Sequence, residues 1–312
     1  MFGALVPLAF IAPGSSNLGW LLLLAALMFG VGLIDDIRPV APTTKLAAQM
    51  AVAALFVAMG PAVSMSGVVW LDRAMAFVWI VGITNAFNLL DNIDGLAAGM
   101  AVIAGVFALA GPIGATADLA VVTGVMVGAA AGFLVYNWQP ASVFMGDSGS
   151  HLLGSFLAGA TLLAAPTAET VIEPVSAVGI LLLVPMADTA VVAITRCLAG
   201  RSPFAGGRDH LSHRLVMLGL TERGAVLTLY ALALAGGVVA LVMPRLSSVW
   251  SGSLAALYVA SVAATAIYLG RIRPAHAQAP AAETLGTSPR VRPAESIAAP
   301  SRARAVRPNP VL

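Results

Sequence analysis

The chain has 312 residues, of which 59% are hydrophobic and 10% charged, with a mean hydropathy of +0.94. Soluble domains carry about 25% charged residues, so these values exclude an ordinary soluble fold and predict an all-α, polytopic integral membrane protein. The formal charge is only +2, too small and too dispersed for a nucleic-acid partner, and the one cysteine, Cys197, excludes a disulfide framework or a Cys-based metal centre.

Met1-Phe-Gly-Ala-Leu has neither a basic n-region nor a small-residue cleavage site, so no cleavable leader is expected. Apolar segments follow at roughly 2–12, 18–34, 46–60, 74–88, 95–111, 118–136, 151–165, 174–195, 224–243 and 251–270, which predicts about ten transmembrane helices. The first is too short to span alone, since crossing the hydrocarbon takes about 20 residues; it is a stub or the remnant of a longer helix. Lys and Arg in short loops orient such a bundle. The loop after the eighth segment holds Arg196, Arg201, Arg208, Arg214 and Arg223, so it is expected in the cytoplasm. Alternation then brings loops 35–45, 88–94 and 137–150 and both termini to the same side. The opposite loops carry Asp72, Arg73, Asp118, Glu169, Glu173 and Arg245 without any motif. An active site at the cytoplasmic membrane face is the consequence.

The first polar cluster closes the second segment as Gly32-Leu-Ile-Asp35-Asp36-Ile-Arg38, with Lys45 opening the third. Paired carboxylates here can hold a metal, act as base or cap a turn, although the macrodipole disfavours an Asp at the C-terminus of its own helix. Lys45 either snorkels or reaches a phosphate. The second cluster, Asn85-Ala-Phe-Asn88-Leu-Leu-Asp91-Asn92-Ile-Asp94-Gly95, sets two Asp and three Asn between apolar runs. Helical spacing puts Asp91 and Asp94 on one face, where two carboxylates repel unless a cation such as Mg²⁺ joins them. A polar helix cap needs one such residue rather than five. Third is Phe144-Met-Gly146-Asp147-Ser-Gly149-Ser150, a glycine-flanked Asp at a helix start where backbone N–H groups can meet phosphate and the carboxylate its metal. Asp188 lies within the eighth segment, either functional or paired with Arg196 two turns on. The fourth cluster is Arg208-Asp209-His210-Leu-Ser212-His213-Arg214-Leu215. Its His spacing would suit zinc only with further ligands, so a cationic clamp for a diphosphate is the better reading. His151 and His276 receive no role.

Residues 271–312 hold seven Arg, two Glu and seven Pro with few large apolar side chains. The chain therefore divides into a transmembrane domain over 1–270 and a disordered Arg/Pro/Ala-rich tail over 271–312, which is inert or hovers over an anionic membrane surface.

Across residues 30 to 224 the four clusters stand in the order of the polyprenyl-phosphate N-acetylhexosamine-1-phosphate transferases, and the chain resembles that family of bacterial membrane enzymes. The resemblance implies a Mg²⁺ site (Mn²⁺ as the alternative ion), a UDP-sugar donor, a polyprenyl phosphate acceptor and release of UMP. It makes Asp147 the leading metal ligand. Asp35 and Asp36 would hold or deprotonate the lipid phosphate, and Asp91 and Asp94 would support catalysis or bind nucleotide. Lys45, Asn88 and Asn92 would contact substrate, and His210, His213 and Arg214 would grip the diphosphate. Ser212 interrupts the run of His typical of the branch that acts on UDP-N-acetylmuramoyl-pentapeptide. The likeness is therefore nearer to the branch that uses UDP-N-acetylglucosamine to start envelope polysaccharides. Members of the family carry a further helix and a basic Gly-Gly loop before the Asp pair, so a truncated N-terminal helix is expected here. A homodimer is left open, and rival readings are an ion-coupled transporter and an intramembrane prenyltransferase.

Overall fold

The computed structural model describes residues 16–111, 117–164, 179–203 and 207–272. Ten α-helices are described: α1 (Ser16–Ile37), α2 (Pro42–Met59), α3 (Val69–Leu90), α4 (Leu96–Ala110), α5 (Ala117–Asn137), α6 (Gly146–Ala164), α7 (Leu183–Leu198), α8 (Leu211–Met217), α9 (Glu222–Val242) and α10 (Ser248–Gly270). A single 3₁₀ turn, Met243–Arg245, links the last two. No strand occurs among the described residues, in keeping with the all-α expectation.

Sequence punctuation explains the boundaries. Pro42 opens α2, where its missing N–H costs nothing. Thr221 caps α9 by accepting from Gly224 N at 3.0 Å, and Pro244 ends it. Pro185 cannot donate to the carbonyl of Leu181, and the helical run from residue 179 breaks at Leu182 before resuming as α7.

Six helices are long and apolar enough to cross a membrane: α1, α2, α3, α5, α9 and α10. The chain is thus a multi-pass membrane protein, but the expected count of ten spans is not reached among the described residues. Helix α4 has 15 residues and α8 only seven. The expected segment 2–12 and residues 273–312 of the expected tail lie outside the described residues, as does part of the expected segment 174–195.

Helix α6 sits at the centre, with 15 of its 19 residues buried. It packs against α1 and α3: a Cβ on Gly154 would lie 2.9 Å from Thr84 Cα, so the α3 backbone runs against α6 with no side chain between. This packing brings the C-termini of α1, α3 and α5 and the N-termini of α2, α4 and α6 to one end of the bundle. The first three polar clusters sit at those termini.

Candidate active site at one end of the bundle

The start of α6 organises the site. Gly146 takes φ +67°, a conformation that favours glycine. The Asp36 carboxylate of α1 closes over this turn, accepting the backbone N–H of Asp147 at 2.8 Å and of Ser148 at 3.0 Å. Asp36 is therefore a helix cap, but for α6 rather than for its own helix, so its charge meets the favourable pole of the macrodipole. Gly32, one turn back on α1, permits the contact, because a Cβ there would lie 2.3 Å from the Asp147 carbonyl oxygen.

Asp35 accepts Val40 N at 2.7 Å and Lys45 Nζ at 2.9 Å. Lys45 also donates to Asp147 Oδ2, so it bridges the two carboxylates. Asp147 Oδ1 accepts from Asn88 Nδ2 at 2.9 Å. Asp35, Asp36, Lys45, Asn88 and Asp147 are thus brought into one constellation, as their types suggested. Asp91 follows α3 half-buried in the same field. Burial first, and then the charges of Asp147, Asp94 and Asp36, push its carboxyl up to about 7. One ammonium thus faces a group of carboxylates at this end of the bundle.

Two other acids and amides fold the loops. Asn92 Nδ2 donates to Leu89 O at 2.7 Å, and Asp94 Oδ2 accepts Ala141 N at 2.9 Å. Gly95, at φ +80°, donates to Asn137 Oδ1 at 3.0 Å and its carbonyl accepts the Tyr230 hydroxyl. Asp94 and Asn92 therefore pin the 91–95 turn to the 138–145 loop and to Leu89. Ser212 extends this scaffold, donating to Asn92 Oδ1 at 2.7 Å, so the His/Arg segment docks on the acidic turn.

A buried chain behind Asp147 was missed at the sequence level. Asn85 Nδ2 donates to Gln49 Oε1 at 2.5 Å, Gln49 Nε2 lies 2.6 Å from His151 Nε2, and His151 Nδ1 lies 2.6 Å from the Asp147 carbonyl. A carbonyl only accepts, so His151 carries its proton on Nδ1 and Nε2 accepts from Gln49. A lone Gln in an otherwise apolar span is the signal that could have found it.

The second basic cluster corrects two expectations. Asp188 does not pair with Arg196; its Oδ2 holds His210 Nδ1 at 2.8 Å and its Oδ1 accepts Leu211 N at 2.6 Å. Arg196 instead forks onto Asp209, at 2.8 and 2.5 Å. Burial opposes ionisation of Asp209, but that fork outweighs it and holds the carboxyl below its ordinary value. Arg214, expected on the diphosphate, is buried and turned into the protein. Its Nε donates to Asp209 O, its Nη1 to the carbonyls of Leu269, Gly270 and Ile272 and its Nη2 to Thr195 Oγ1. Its donors tie down the end of α10 and leave no fork for a phosphate. Arg214→Met is expected to cost about 1–3 kcal/mol for each carbonyl left without a partner, seen as a lowered thermal midpoint with activity tracking the folded fraction. His213 stays half-buried and stacks edge-on to His210, ring centroids 6.2 Å apart. Burial, then the neighbouring His210 and the Arg208 cation, lower its pKa.

An apolar groove of about 580 Å³ runs between α3 and α7, lined by Trp79, Ile83, Ala86, Met186, Thr189 and Ala193 among others. Its lining on α3 reaches Ala86, two residues short of Asn88.

The donor set fits a hard divalent ion. Among the described residues no group of three His, Cys, Asp or Glu forms a cage, and Mg²⁺ prefers one or two carboxylates completed by water and phosphate oxygens. Asp147 and Asp91, whose charges interact at this end of the bundle, are the candidate pair.

Residues 18–165 match the model of glycosyl transferase family 4, a stretch that contains the Asp35, Asp91 and Asp147 loops. The chain is 35% identical over 246 residues to the decaprenyl-phosphate N-acetylglucosaminephosphotransferase of Mycobacterium tuberculosis H37Rv, covering 69% of this chain and 61% of that protein. It is 33% identical over 239 residues to the probable undecaprenyl-phosphate N-acetylglucosaminyl 1-phosphate transferase of Bacillus subtilis 168, covering 72% and 65%. It therefore spans about three fifths of the length of these relatives. A third relative, the phospho-N-acetylmuramoyl-pentapeptide-transferase of Desulforudis audaxviator, is 31% identical over 277 residues, covering 77% of this chain and 81% of that protein. By the family match and by this third relative, the chain belongs to glycosyl transferase family 4.

Proposed function

We propose that the chain transfers N-acetylglucosamine-1-phosphate from UDP-N-acetylglucosamine to a polyprenyl phosphate at the cytoplasmic face of the bacterial plasma membrane. An oxygen of the lipid phosphate attacks the sugar-linked phosphorus, a new P–O–P bond forms, and the P–O bond to UMP breaks. The observation that carries this reading is the placement of Lys45, Asn88, Asp91 and Asp147 at one bundle end. The apolar groove between α3 and α7, lined on α3 as far as Ala86, offers room for a lipid chain. The names of the mycobacterial and Bacillus relatives support the transferred group and the acceptor. The Arg-rich loop supports the cytoplasmic placement.

Asp147 and Asp91 would hold Mg²⁺, whose charge offsets the repulsion between two phosphates. Lys45 draws the acceptor phosphate to the Asp35 and Asp147 side, and Asn88 fixes the Asp147 rotamer. A lipid phosphate has a second pKa near about 6 and is largely dianionic at neutral pH, so no strong base is required. That leaves Asp36 as the cap of α6 and Asp35 as the partner of Lys45, rather than proton acceptors. His210 and His213 would meet the donor diphosphate across the Ser212–Asn92 contact.

The test is incubation of the purified chain with labelled UDP-N-acetylglucosamine, polyprenyl phosphate and Mg²⁺. Lipid-linked sugar phosphate and UMP are expected in equal amounts, and absence of both overturns the reading. The Desulforudis relative favours a second donor, so UDP-N-acetylmuramoyl-pentapeptide is run in parallel and is expected to give no product.

Asp91 adds a pH signature. Its folded pKa stands above the unfolded carboxylate value, so the folded state binds the extra proton. Stability therefore falls as pH rises from about 4 to about 7 and levels off beyond. A cation at Asp91 opposes this loss. Added Mg²⁺ should raise the thermal midpoint more at pH 8 than at pH 5, and Asp91→Asn should abolish the difference; an equal rise at both pH values counts against Asp91 as a ligand.

A further inference from the structure

Asp188 is 1% exposed, and burying a carboxylate is costly unless each oxygen is matched. Both are. Oδ1 accepts the N–H of Leu211, the first residue of α8, at 2.6 Å, and Oδ2 meets Nδ1 of His210, the residue before that helix, at 2.8 Å. Capping α8 would use only the first contact. The second lets a carboxylate, which only accepts, dictate which ring nitrogen bears a proton. The rest of the segment is clamped independently: Asp209 by Arg196, Ser212 by Asn92, and Arg214 by the end of α10. His210 is thus the one residue of the segment whose contact with Asp188 is not needed to hold the backbone in place.

We propose that Asp188 is a positioning residue: it fixes His210 through Nδ1–H with its ring turned by α7, so that a proton on Nε2 is the one offered to the donor diphosphate. The proposal rests on the transferase reading above. It also gives α7 a double duty, because Thr189, the next residue, lines the apolar groove. The helix that borders the hydrocarbon site would set the orientation of the group that meets the nucleotide.

The experiment is a double-mutant cycle on the full chain, scored by kcat and by KM for UDP-N-acetylglucosamine. Asp188→Asn is expected to lower kcat/KM about 10- to 100-fold, the usual loss when the partner that orients a functional His is changed. In a His210→Ala background the same change is expected to cost less than about twofold, because a residue acting through His210 has nothing left to act on. Equal losses in both backgrounds would mean that Asp188 is only structural, and full activity in His210→Ala would remove the His210 role and the proposal with it.

A spectroscopic arm covers the case in which Asp188→Asn does not fold. In ¹⁵N-His-labelled unaltered protein, with His210 assigned by its disappearance in His210→Ala, Nδ1 should carry a proton. An unprotonated Nδ1 overturns the proposal. Absence of turnover by the unaltered chain would overturn the transferase reading instead, and the nitrogen assignment would still decide whether the dyad exists.

Discussion

Asp147→Asn is expected to lower turnover by at least about 10²-fold, the scale on which removal of one preorganised electrostatic contact acts in a water-poor site, with little change in thermal stability. The side chain is isosteric, and the backbone around it is held by other groups. Asp36 caps the Asp147 and Ser148 amides, and His151 binds the Asp147 carbonyl. Lys45 keeps Asp35 as its partner and Asn88 keeps Ser150, at 3.1 Å. What disappears is the charge that would balance a divalent ion beside the reacting phosphates. The same substitution removes one of the charges that raise the Asp91 carboxyl, so the Asp91 pKa should move back toward its ordinary value even as turnover is lost. Turnover at saturating Mg²⁺ and a thermal melt of the same preparation check both halves. Full activity in the variant would remove Asp147 from the metal site.

The polar clusters were legible in the sequence because an apolar background makes every charge conspicuous. Their gathering at one end followed from alternation of spans. The duties within each cluster were less legible, for a physical reason: many of the partners are backbone amides and carbonyls, which no side-chain pattern displays. Asp36 binds two amides of α6, Asp94 binds Ala141 N and Arg214 binds three carbonyls near the end of α10. Each is chemically suited to a phosphate or metal and is engaged elsewhere. Gln49 stands alone in the linear chain and His151 follows the third cluster without an evident partner, so neither was given a role, although both are fully buried. Six of the ten expected spans are found among the described residues; α4 stops at 15 residues, and the polar stretch Gly146-Asp-Ser-Gly-Ser-His151 takes up the first turns of α6. The apolar run around Pro185 did not reveal that its helix breaks at Leu182.

Gly32→Ala is the second large effect, and it acts from α1 with no change of charge. The added methyl would stand 2.3 Å from the carbonyl oxygen of Asp147 and 2.5 Å from the nitrogen of Ser148, both backbone atoms with no rotamer to yield. Either α1 withdraws or the first turn of α6 shifts. Overpacking of this kind costs about 1–3 kcal/mol. Catalysis should suffer more than stability, because the shift falls on the turn that carries Asp147, and a misplacement of about 1 Å can cost about 10²-fold in rate. Gly30→Ala is the control: the same helix and the same added methyl, with nothing within 4 Å of the new atom. That variant should match the unaltered chain in melting and turnover. Near-normal activity in Gly32→Ala would mean that the α1–α6 contact does not position Asp147. A drop in turnover that far exceeds the loss of folded protein, absent in Gly30→Ala, is what a site built on the close approach of two helices requires.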